Sequence, residues 1–145
     1  MEIKVVKLKD GAHIPTKGSN YAAGYDLYAC LEEDAYFFHG STIKIPTGLA
    51  IKPPRGYFGA IFARSGLATK QGLRPANCVG VCDEDYTGEY IVALRNDSGN
   101  DQVVRNGDRI AQLVFLPYLD ASFVEVDALD KTERGDGGFG STGSK

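Results

Sequence analysis

The stretch "YFGAIFARSGLATKQG", residues 57–72, decides how the rest of the chain is interpreted. In "YFGAIFA" both alternating faces are largely apolar, which predicts a strand buried on both sides. The pattern then changes, because Ser65 is a typical helix N-cap, Leu67 favours a helix and Gly72 is a typical helix end. The stretch therefore predicts a buried β-strand followed by one short helix.

The same strand signal recurs along the chain, whereas helical periodicity is scarce outside this stretch. Short runs rich in β-branched and aromatic residues are separated by Gly, Pro, Asn and Asp. The predicted strands are "EIKVVKL", "GYDLYA", "AYFF", "STIKI", "GLAIK", "YFGAIFA", "CVGVC", "EYIVALR", "QVVR", "IAQLVFLPY" and "SFVEVD". So many short strands predict an all-β fold, a jelly roll or a β-barrel, with one short helix.

Length and composition bound the possible functions. The chain has 145 residues, which suits one domain, and it becomes polar and glycine-rich near its end. We therefore expect a single β domain over residues 1–133 and a flexible tail over residues 134–145. The net charge of −3 argues against a nucleic-acid partner, and no apolar run is long enough to span a membrane. Because the start also lacks the apolar segment of a secretion signal, we expect an intracellular, cytoplasmic protein.

The three cysteines are Cys30, Cys78 and Cys82. An odd number without disulfide-like spacing fits a reducing compartment. Cys78 and Cys82 are close enough to suggest half of a metal site, but no second pair follows and the histidines are distant. We expect buried, inert thiols.

The segment "FARSGLATKQG" contains a candidate anion site. Helix N-termini leave backbone N–H groups free and carry positive partial charge. Arg64 adds a forked donor that matches phosphate oxygens, and Ser65 and the amide of Gly66 extend the set. An ordinary capped helix with a surface arginine is the alternative, and the segment alone favours it.

The segment "NCVGVCDEDYTGEY" predicts a strand, an acidic tight turn and a second strand, which together form a hairpin. If Val79, Val81 and Asp83 share a face, Asp83 points the way the apolar residues point and needs a partner or a chemical role. Glu84 and Asp85 fall in the turn, where we expect water to solvate them. An ordinary acidic turn is the alternative.

Three further side chains are candidates because of their surroundings. Tyr86, after the acidic turn, is either a packing residue or a platform for a planar ring. Asp26 in "AAGYDLYA" is a charge in an apolar run, which is costly unless a salt bridge or a cation offsets it. Gln112 in "NGDRIAQLVF" needs hydrogen-bond partners, which backbone or a ligand can supply.

The last twelve residues, "RGDGGFGSTGSK", combine glycines with an arginine, an aromatic ring and two hydroxyls. Glycines let successive N–H groups converge round phosphate oxygens, and Ser141 and Thr142 add donors. Phe139 can stack on a planar ring. The segment is not a Walker loop, because Gly140 stands where the lysine is required.

Taken in order, "AAGYDLYA", "ARSGLA", "VGVCDEDYTGEY", "GDRIAQLVF" and "RGDGGFGSTG" resemble the five motifs of the homotrimeric deoxyuridine triphosphate nucleotidohydrolases, the dUTPases. The match covers nearly the whole chain, and five motifs in family order are far more specific than one. The resemblance implies the family's β-clip form of the jelly roll and hydrolysis of dUTP to dUMP and pyrophosphate with Mg²⁺. It also implies a homotrimer in which each of three active sites draws motifs from all three chains.

By the same resemblance, Asp83 is the catalytic acid that activates the attacking water, and Asp26 supports the Mg²⁺ through water. The implied phosphate binders are Arg64, Ser65, Gly66, Gln112, Arg134, Ser141 and Thr142. The implied uracil and deoxyribose contacts are Asn77, Gly80, Tyr86 and Phe139. The tail is implied to close over the nucleotide as a lid. The activity would keep uracil out of DNA and supply dUMP for dTMP synthesis.

Two positions depart from the family pattern. Ala63 stands where proline is usual, and Cys82 stands where a branched aliphatic residue is usual. Neither change removes a chemical group, so we expect activity to survive, with Cys82 adding an oxidisable thiol near the site. Two alternatives stay open: a dCTP deaminase-like enzyme on this fold, and a catalytically idle nucleotide-binding regulatory module, which would be expected to lose Asp83 or the tail.

Overall fold

The computed structural model describes residues 2–138, and its regular structure consists of short strands and one helix. The chain is nearly all-β, as the strand pattern predicts, with β2 and β7 additional to the predicted set. The elements are β1 (Lys4–Lys7), β2 (Thr16–Lys17), β3 (Tyr25–Tyr28), β4 (Ala35–Phe37), β5 (Thr42–Lys52), β6 (Tyr57–Phe62), α1 (Ser65–Gln71), β7 (Leu73–Pro75), β8 (Gly80–Cys82), β9 (Glu89–Asn96), β10 (Gln102–Val104) and β11 (Arg109–Pro117).

The strands form three antiparallel sheets. One has the order β1-β5-β9-β7, a second has the order β2-β3-β11-β6-β8, and the small third sheet pairs β10 with β4. Both large sheets keep free edge strands, so no closed barrel forms among residues 2–138. The jelly-roll-like architecture is confirmed, and the barrel alternative is wrong.

The longest strand, β5, joins two runs that the sequence predicts as separate strands. Its pairing with β9 shifts register between Pro46 and Ala50, so the strand is irregular there and yet continues. β5 also pairs with β1 along its second half, from Leu49 to Lys52. It therefore lies in the middle of the four-stranded sheet.

The hydrophobic core follows the predicted alternation. In β9, Tyr90, Val92 and Leu94 are buried, and the residues between them are partly or fully exposed. In β6, residues 59–61 are all buried, which confirms that the middle of this strand is covered on both faces. β6 lies between β11 and β8, so neither long edge of the strand is free.

The helix begins differently from the prediction. Arg64 occupies the N-cap with extended backbone and no capping side-chain hydrogen bond, so the predicted capping role of Ser65 is wrong. Arg64 continues the extended path of β6, and Ser65 is already the first helical residue. Gly72 ends the helix as predicted, with a left-handed φ of 67° that glycine adopts readily. Within residues 2–138, no helix has the length and apolar character needed to cross a membrane.

The predicted hairpin between β8 and β9 is wrong. β8 pairs with β6 in the five-stranded sheet, and β9 pairs with β5 and β7 in the four-stranded sheet. Residues 83–88, which we call the acidic connection, therefore cross from one sheet to the other. Turn-forming residues favour a reversal of the chain but do not determine which sheet the next strand joins.

The predicted strand "SFVEVD" is also wrong. Residues 119–133, which we call the C-terminal arm, contain no strand and are exposed throughout. Phe123 is 100% exposed and Val124 is 78% exposed. A strand needs a neighbour for its backbone groups, and within residues 2–138 nothing pairs with the arm. Its apolar side chains therefore lie open on the single chain.

Candidate active site

Asp83 lies where the chain leaves β8, and its side chain is open. Val81 and Asp83 are exposed, and the intervening Cys82 is buried, so the two exposed side chains share a face with Val79. This face is open rather than part of the core, since Val81 is 61% exposed. The Asp83 carboxylate makes no hydrogen bond or ion pair with any residue between 2 and 138. Its side chain is therefore open to a ligand.

Tyr86 stands beside Asp83 and combines the two roles that the sequence leaves open. Its ring packs against Tyr90, with centroids 6.1 Å apart, and its hydroxyl donates to the Glu89 carbonyl at 2.9 Å. The side chain remains 43% exposed. A small open cavity is bordered by both Asp83 and Tyr86. The ring is thus fixed on one side and available to a ligand on the other.

Cys82 and Tyr90 form the buried floor beneath these two residues. Burial raises the pKa of the Cys82 thiol to about 11, so the thiol stays protonated at neutral pH and is a poor nucleophile. The expected oxidisable thiol is therefore shielded, with 8% of the residue exposed. Burial, and to a smaller extent the neighbouring Cys82 thiol, raises the pKa of Tyr90, whose hydroxyl makes no hydrogen bond of ordinary geometry within the described chain.

Contrary to the prediction that water solvates Glu84, the residue is only partly exposed and other residues bind its carboxylate. Its side-chain Oε2 accepts hydrogen bonds from the Gly56 amide at 2.7 Å and from the Tyr118 hydroxyl at 2.8 Å. The Glu84 backbone carbonyl also accepts a hydrogen bond from Lys52. These partners come from distant parts of the sequence, so a local turn pattern could not reveal them. Asp85, in contrast, is exposed as expected.

A cluster of charged side chains occupies the opposite end of β6. The Nε of Arg64 donates to Asp26 Oδ1 at 2.8 Å, and an Arg109 guanidinium nitrogen lies 3.3 Å from Asp26 Oδ2. The Asp26 side chain is only 12% exposed, so both carboxylate oxygens are paired in a partly buried place. Sequence reasoning missed Arg109. The only signal for it was its position in "GDRIAQLVF", in the same segment as Gln112.

Gln112 is held by the backbone, which is one of the two possibilities that the sequence left open. Its side-chain nitrogen donates to the Ala63 carbonyl at 2.8 Å. Arg64 in turn donates to the Arg109 carbonyl at 3.2 Å. The strand end at Ala63, the helix start and β11 are thus tied together.

The other predicted contacts are spread over two places. Ser65 and Gly66 are exposed in the first turn of α1, beside Arg64. Asn77 is exposed in the connection between β7 and β8, and Gly80 is buried opposite Ile61 of β6. The first pair therefore joins the charged cluster, and the second pair lies on the segment that leads to Asp83.

Cys78 contradicts the expectation of buried thiols. It is exposed and has a left-handed φ of 62°, while Cys30 and Cys82 are buried. Its sulfur lies 3.3 Å from a guanidinium nitrogen of Arg74. The tight turn between β7 and β8 places this side chain outward, since the neighbouring strands occupy the interior.

The tail is described only at its start. Arg134 is exposed, and its Nε donates to the Gly137 carbonyl at 2.9 Å. Phe139, Ser141 and Thr142, which the sequence predicts as ligand contacts, lie outside the described residues. The Arg134–Gly137 hydrogen bond closes a short turn that precedes them.

Within one chain, Asp83 and the charged cluster do not meet. The pairing of Cys82 with Gly59 places Asp83 beside Phe58, at the first end of β6. Arg64 follows the other end of β6. Arg64 lies six positions after Phe58 along the extended chain, which corresponds to about 20 Å at roughly 3.3 Å per residue. The chain therefore presents two separate groups of candidate residues, one around Asp83 and one formed by the charged cluster, which we call the two half-sites.

The residues are compatible with a metal ion held mainly by a ligand. Among residues 2–138, no group of three or more His, Cys, Asp or Glu side chains is placed to hold a metal. Asp26 offers one carboxylate, whose oxygens already accept from two arginines. This arrangement suits Mg²⁺, which keeps several waters and binds substrate phosphates with few protein ligands.

The fold is shared with known nucleotide-hydrolysing proteins. A structure of the dUTPase of Staphylococcus bacteriophage 80alpha with dUpNHpp matches this chain with a TM-score of 0.88 and 26% sequence identity. The match covers 98% of both chains. The architecture of this chain is thus that of a dUTPase structure.

Sequence comparison identifies the family. The family model for dUTPase matches residues 10–143. The deoxyuridine 5'-triphosphate nucleotidohydrolase of Desulfitobacterium hafniense is 49% identical over 144 residues, which covers 99% of this chain and 95% of that protein. The corresponding protein of a Hydrogenobaculum species is 41% identical over the full length of both chains. The chain belongs to the dUTPase family.

Proposed function

We infer that this protein hydrolyses dUTP to dUMP and pyrophosphate. The observation that carries this conclusion is the family match over residues 10–143, because that range contains all the motif residues named above. The relatives from Desulfitobacterium and Hydrogenobaculum are named for this activity. The reaction keeps uracil out of DNA and supplies dUMP for dTMP synthesis.

We propose that Asp83 is the general base of the reaction. Its exposed carboxylate would take a proton from water while the water oxygen attacks a phosphorus atom of dUTP. The bond between dUMP and the pyrophosphate group then breaks, and pyrophosphate leaves with the electron pair. The absence of a partner for this carboxylate among residues 2–138 supports the role, since a paired carboxylate would be a weaker base.

The charged cluster is proposed to bind the phosphates. Arg64 keeps one guanidinium nitrogen, Nη2, without a partner in the described chain, beside the exposed residues Ser65 and Gly66, whose first-turn amides have no partner within the helix. Asp26 holds Arg64 in place, and Gln112 fixes the neighbouring backbone. Phosphoryl transfer depends mainly on positioning and charge neutralisation, so fixed donors of this kind are what the reaction needs.

The base and the sugar are proposed to bind next to Asp83. Asn77 and the backbone at Gly80 would read the uracil edge, and the Tyr86 ring would pack against the deoxyribose. The exposed ring face of Tyr86 and the cavity beside it support this placement. A close-fitting ring would crowd a ribose 2′-hydroxyl and so favour deoxyribonucleotides.

Residues 134–145 are proposed to form a lid over the nucleotide. Arg134, Ser141 and Thr142 would contact the phosphates, and Phe139 would stack on the uracil. Closure would exclude water other than the nucleophile. The turn at Arg134 supports this reading, because it lies at the boundary between the arm and the glycine-rich segment.

Mg²⁺ is the proposed cofactor. When bound to the phosphates it would neutralise their charge and help hold them in line for attack. Asp26 is the side chain that would support it, through water, while the same carboxylate orients Arg64 and Arg109. The pairing of Asp26 with two arginines supports an indirect role, because neither oxygen is free of other partners.

A homotrimer with shared active sites is the proposed assembly. The separation of about 20 Å between the two half-sites of one chain leaves each half-site incomplete by itself. A neighbouring copy would bring its own Asp83 segment to the charged cluster. The exposed apolar side chains of the C-terminal arm, such as Phe123, support contacts between copies.

We further propose that the protein acts in the cytoplasm. Its three cysteines are all free thiols, which is the state that a reducing compartment maintains. That location would place it with the pool of deoxyribonucleotides used for DNA synthesis.

A product assay tests the proposed function. The purified chain is incubated with Mg²⁺ and, separately, with dUTP, dCTP, dTTP and UTP, and the nucleotides are resolved. We expect conversion of dUTP alone, to dUMP and pyrophosphate. Deamination of dCTP would favour the deaminase-like alternative. Tight binding of dUTP without turnover would favour the catalytically idle module.

A further inference from the structure

Within residues 2–138, Glu84 is the acidic residue of the acidic connection whose side chain other segments hold in place. It follows Asp83 directly, and its carboxylate is partly buried. One side-chain oxygen, Oε2, accepts both the Gly56 amide at 2.7 Å and the Tyr118 hydroxyl at 2.8 Å. Two short hydrogen bonds converging on one carboxylate oxygen fix its position strongly.

The partners of Glu84 come from three other segments of the fold. Lys52 is the last residue of β5 and donates to the Glu84 backbone carbonyl. Gly56 lies in the turn between β5 and β6, and its φ of 77° is a conformation that glycine adopts readily. Tyr118 directly follows β11 and donates its own amide to the Gly56 carbonyl at 3.2 Å. Glu84 therefore joins the acidic connection to the end of β5 and to one end of the β6–β11 pair, where Tyr57 lies opposite Pro117.

This junction lies between two parts of the proposed catalytic apparatus. On one side of Glu84 the chain carries Asp83, and on the other side it reaches Tyr86 within two residues. Tyr118 is the last fixed point before the C-terminal arm, which leads to the proposed lid. An open cavity of about 580 Å³ is bordered by Asp83, Glu84 and Tyr118, so these groups face a common space.

The electrostatics agree with this geometry. The Gly56 amide, followed by the Tyr118 hydroxyl, lowers the pKa of Glu84 below its usual range. The hydrogen bond between Tyr118 and Glu84 raises the pKa of Tyr118. Both shifts keep Glu84 charged and Tyr118 protonated, which are the states that the hydrogen bond requires.

We propose that Glu84 is a positioning residue, which fixes the backbone that carries Asp83 and Tyr86 to the Gly56 turn and to the start of the C-terminal arm. The proposal rests on the proposed function, because it assigns Glu84 a role in the same site. Glu84 does not need to touch the substrate. Its effect on turnover comes from restricting Asp83, since small displacements of a catalytic group slow a reaction strongly.

Steady-state kinetics of Glu84→Ala, Glu84→Gln and Tyr118→Phe test the proposal. Glu84→Ala is expected to lower kcat about tenfold and to change KM less than about twofold, because positioning of Asp83 is impaired. Glu84→Gln keeps an oxygen that accepts both hydrogen bonds, so its kcat should stay within about twofold of wild type. Tyr118→Phe, which removes one of the two bonds, should fall between them.

Two controls accompany these variants. Asp101→Asn removes one carboxylate charge from an exposed residue that does not border this cavity, so it should resemble wild type. Tyr36→Phe is the matched control for Tyr118→Phe, because Tyr36 is exposed on β4. Amide hydrogen exchange of residues 80–90 supplies a readout independent of activity. Exchange there should be faster in Glu84→Ala and unchanged in Glu84→Gln.

The outcomes distinguish a failure of the proposed function from a failure of the role proposed for Glu84. Inactive wild-type protein would overturn the proposed function, and the exchange measurement would still decide whether Glu84 holds the connection. Active wild type with unchanged kcat and exchange in Glu84→Ala would overturn the proposal for Glu84. Equal losses in Glu84→Gln and Glu84→Ala would also overturn it, because charge rather than the hydrogen bonds would then be responsible.

Discussion

The two half-sites at the ends of β6 are organised in opposite ways. After Phe62, the side chains of Asp26, Arg64 and Arg109 already pair with one another, at 2.8 and 3.3 Å. Beside Phe58, the Asp83 carboxylate has no partner between residues 2 and 138, and only the backbone around it is held, through Glu84. At one end the charged side chains are held by one another, and at the other end only the backbone that carries the Asp83 carboxylate is held.

This contrast fits the different chemical tasks that we propose for the two ends. Donors that bind phosphate work best when they are oriented before the ligand arrives. A general base needs a free lone pair, and any strong internal partner would lower its basicity. If the proposed shared site is correct, a single chain is insufficient, because β6 keeps the proposed phosphate donors and the proposed base about 20 Å apart.

Removing the proposed lid should have the largest effect on turnover. Deletion of residues 134–145 is expected to leave no measurable dUTP hydrolysis, because neither half-site would be covered. Sedimentation should show that the assembly is unchanged. Full activity of the truncated protein would show that the two half-sites work without a lid.

Asp83→Asn should have the next largest effect. The amide cannot accept the proton, so kcat is expected to fall by about 10²–10⁴-fold while dUTP binding is largely kept. Rapid-quench kinetics and equilibrium binding of dUTP measure the two quantities. Normal turnover in this variant would remove Asp83 from the mechanism.

Arg109→Ala tests the paired end of β6, and a smaller effect is expected. The side chain of Arg109 is 51% exposed, so its ion pair with Asp26 is screened by solvent. We expect KM for dUTP to rise about two- to fivefold, because Asp26 then orients Arg64 less firmly. Arg105→Ala is the matched control, since Arg105 pairs with Asp34 away from the cluster. A similar change in both variants would indicate a general charge effect.

Tyr90→Phe tests the apolar floor beneath the unpaired end. The Tyr90 hydroxyl is buried beside the Cys82 thiol and makes no hydrogen bond of ordinary geometry in the described chain, so its removal should raise the free energy of unfolding by about 1 kcal/mol. The kcat should hardly change, because the ring that supports Tyr86 remains. Chemical denaturation measures the effect, with Tyr36→Phe as the exposed control. A loss of stability would show that the hydroxyl has a partner that the single chain does not reveal.

Features that depend only on residues close together in the chain are predicted well from the sequence. Alternation in β6 and β9 predicts which residues are buried, and Gly72 predicts the end of the helix. The prominent chemical groups, such as Asp83 and Arg64, are also evident from the sequence, because each interrupts an otherwise apolar or ordinary pattern. The structure places both of them at strand ends, where side chains can reach a ligand.

The parts that the sequence does not predict depend on distant partners. The acidic connection has the composition of a hairpin turn, yet it crosses between sheets because Tyr90 enters the other sheet. Glu84 is indistinguishable from Asp85 until Gly56 and Tyr118 are placed beside it. The arm segment "SFVEVD" has a strand-like composition, but the described chain offers it no strand to pair with.

The central claim, that a working site combines half-sites from different copies, is tested most directly by mixing two inactive variants. Asp83→Asn and Arg64→Ala proteins are unfolded together, refolded at equal concentrations and assayed with dUTP, beside each variant refolded alone. If sites are shared between copies, the mixture should recover about a quarter of wild-type activity, because random assembly joins an intact Asp83 and an intact Arg64 from different chains at that frequency. A mixture as inactive as its two components, despite confirmed mixed assemblies, would contradict the account.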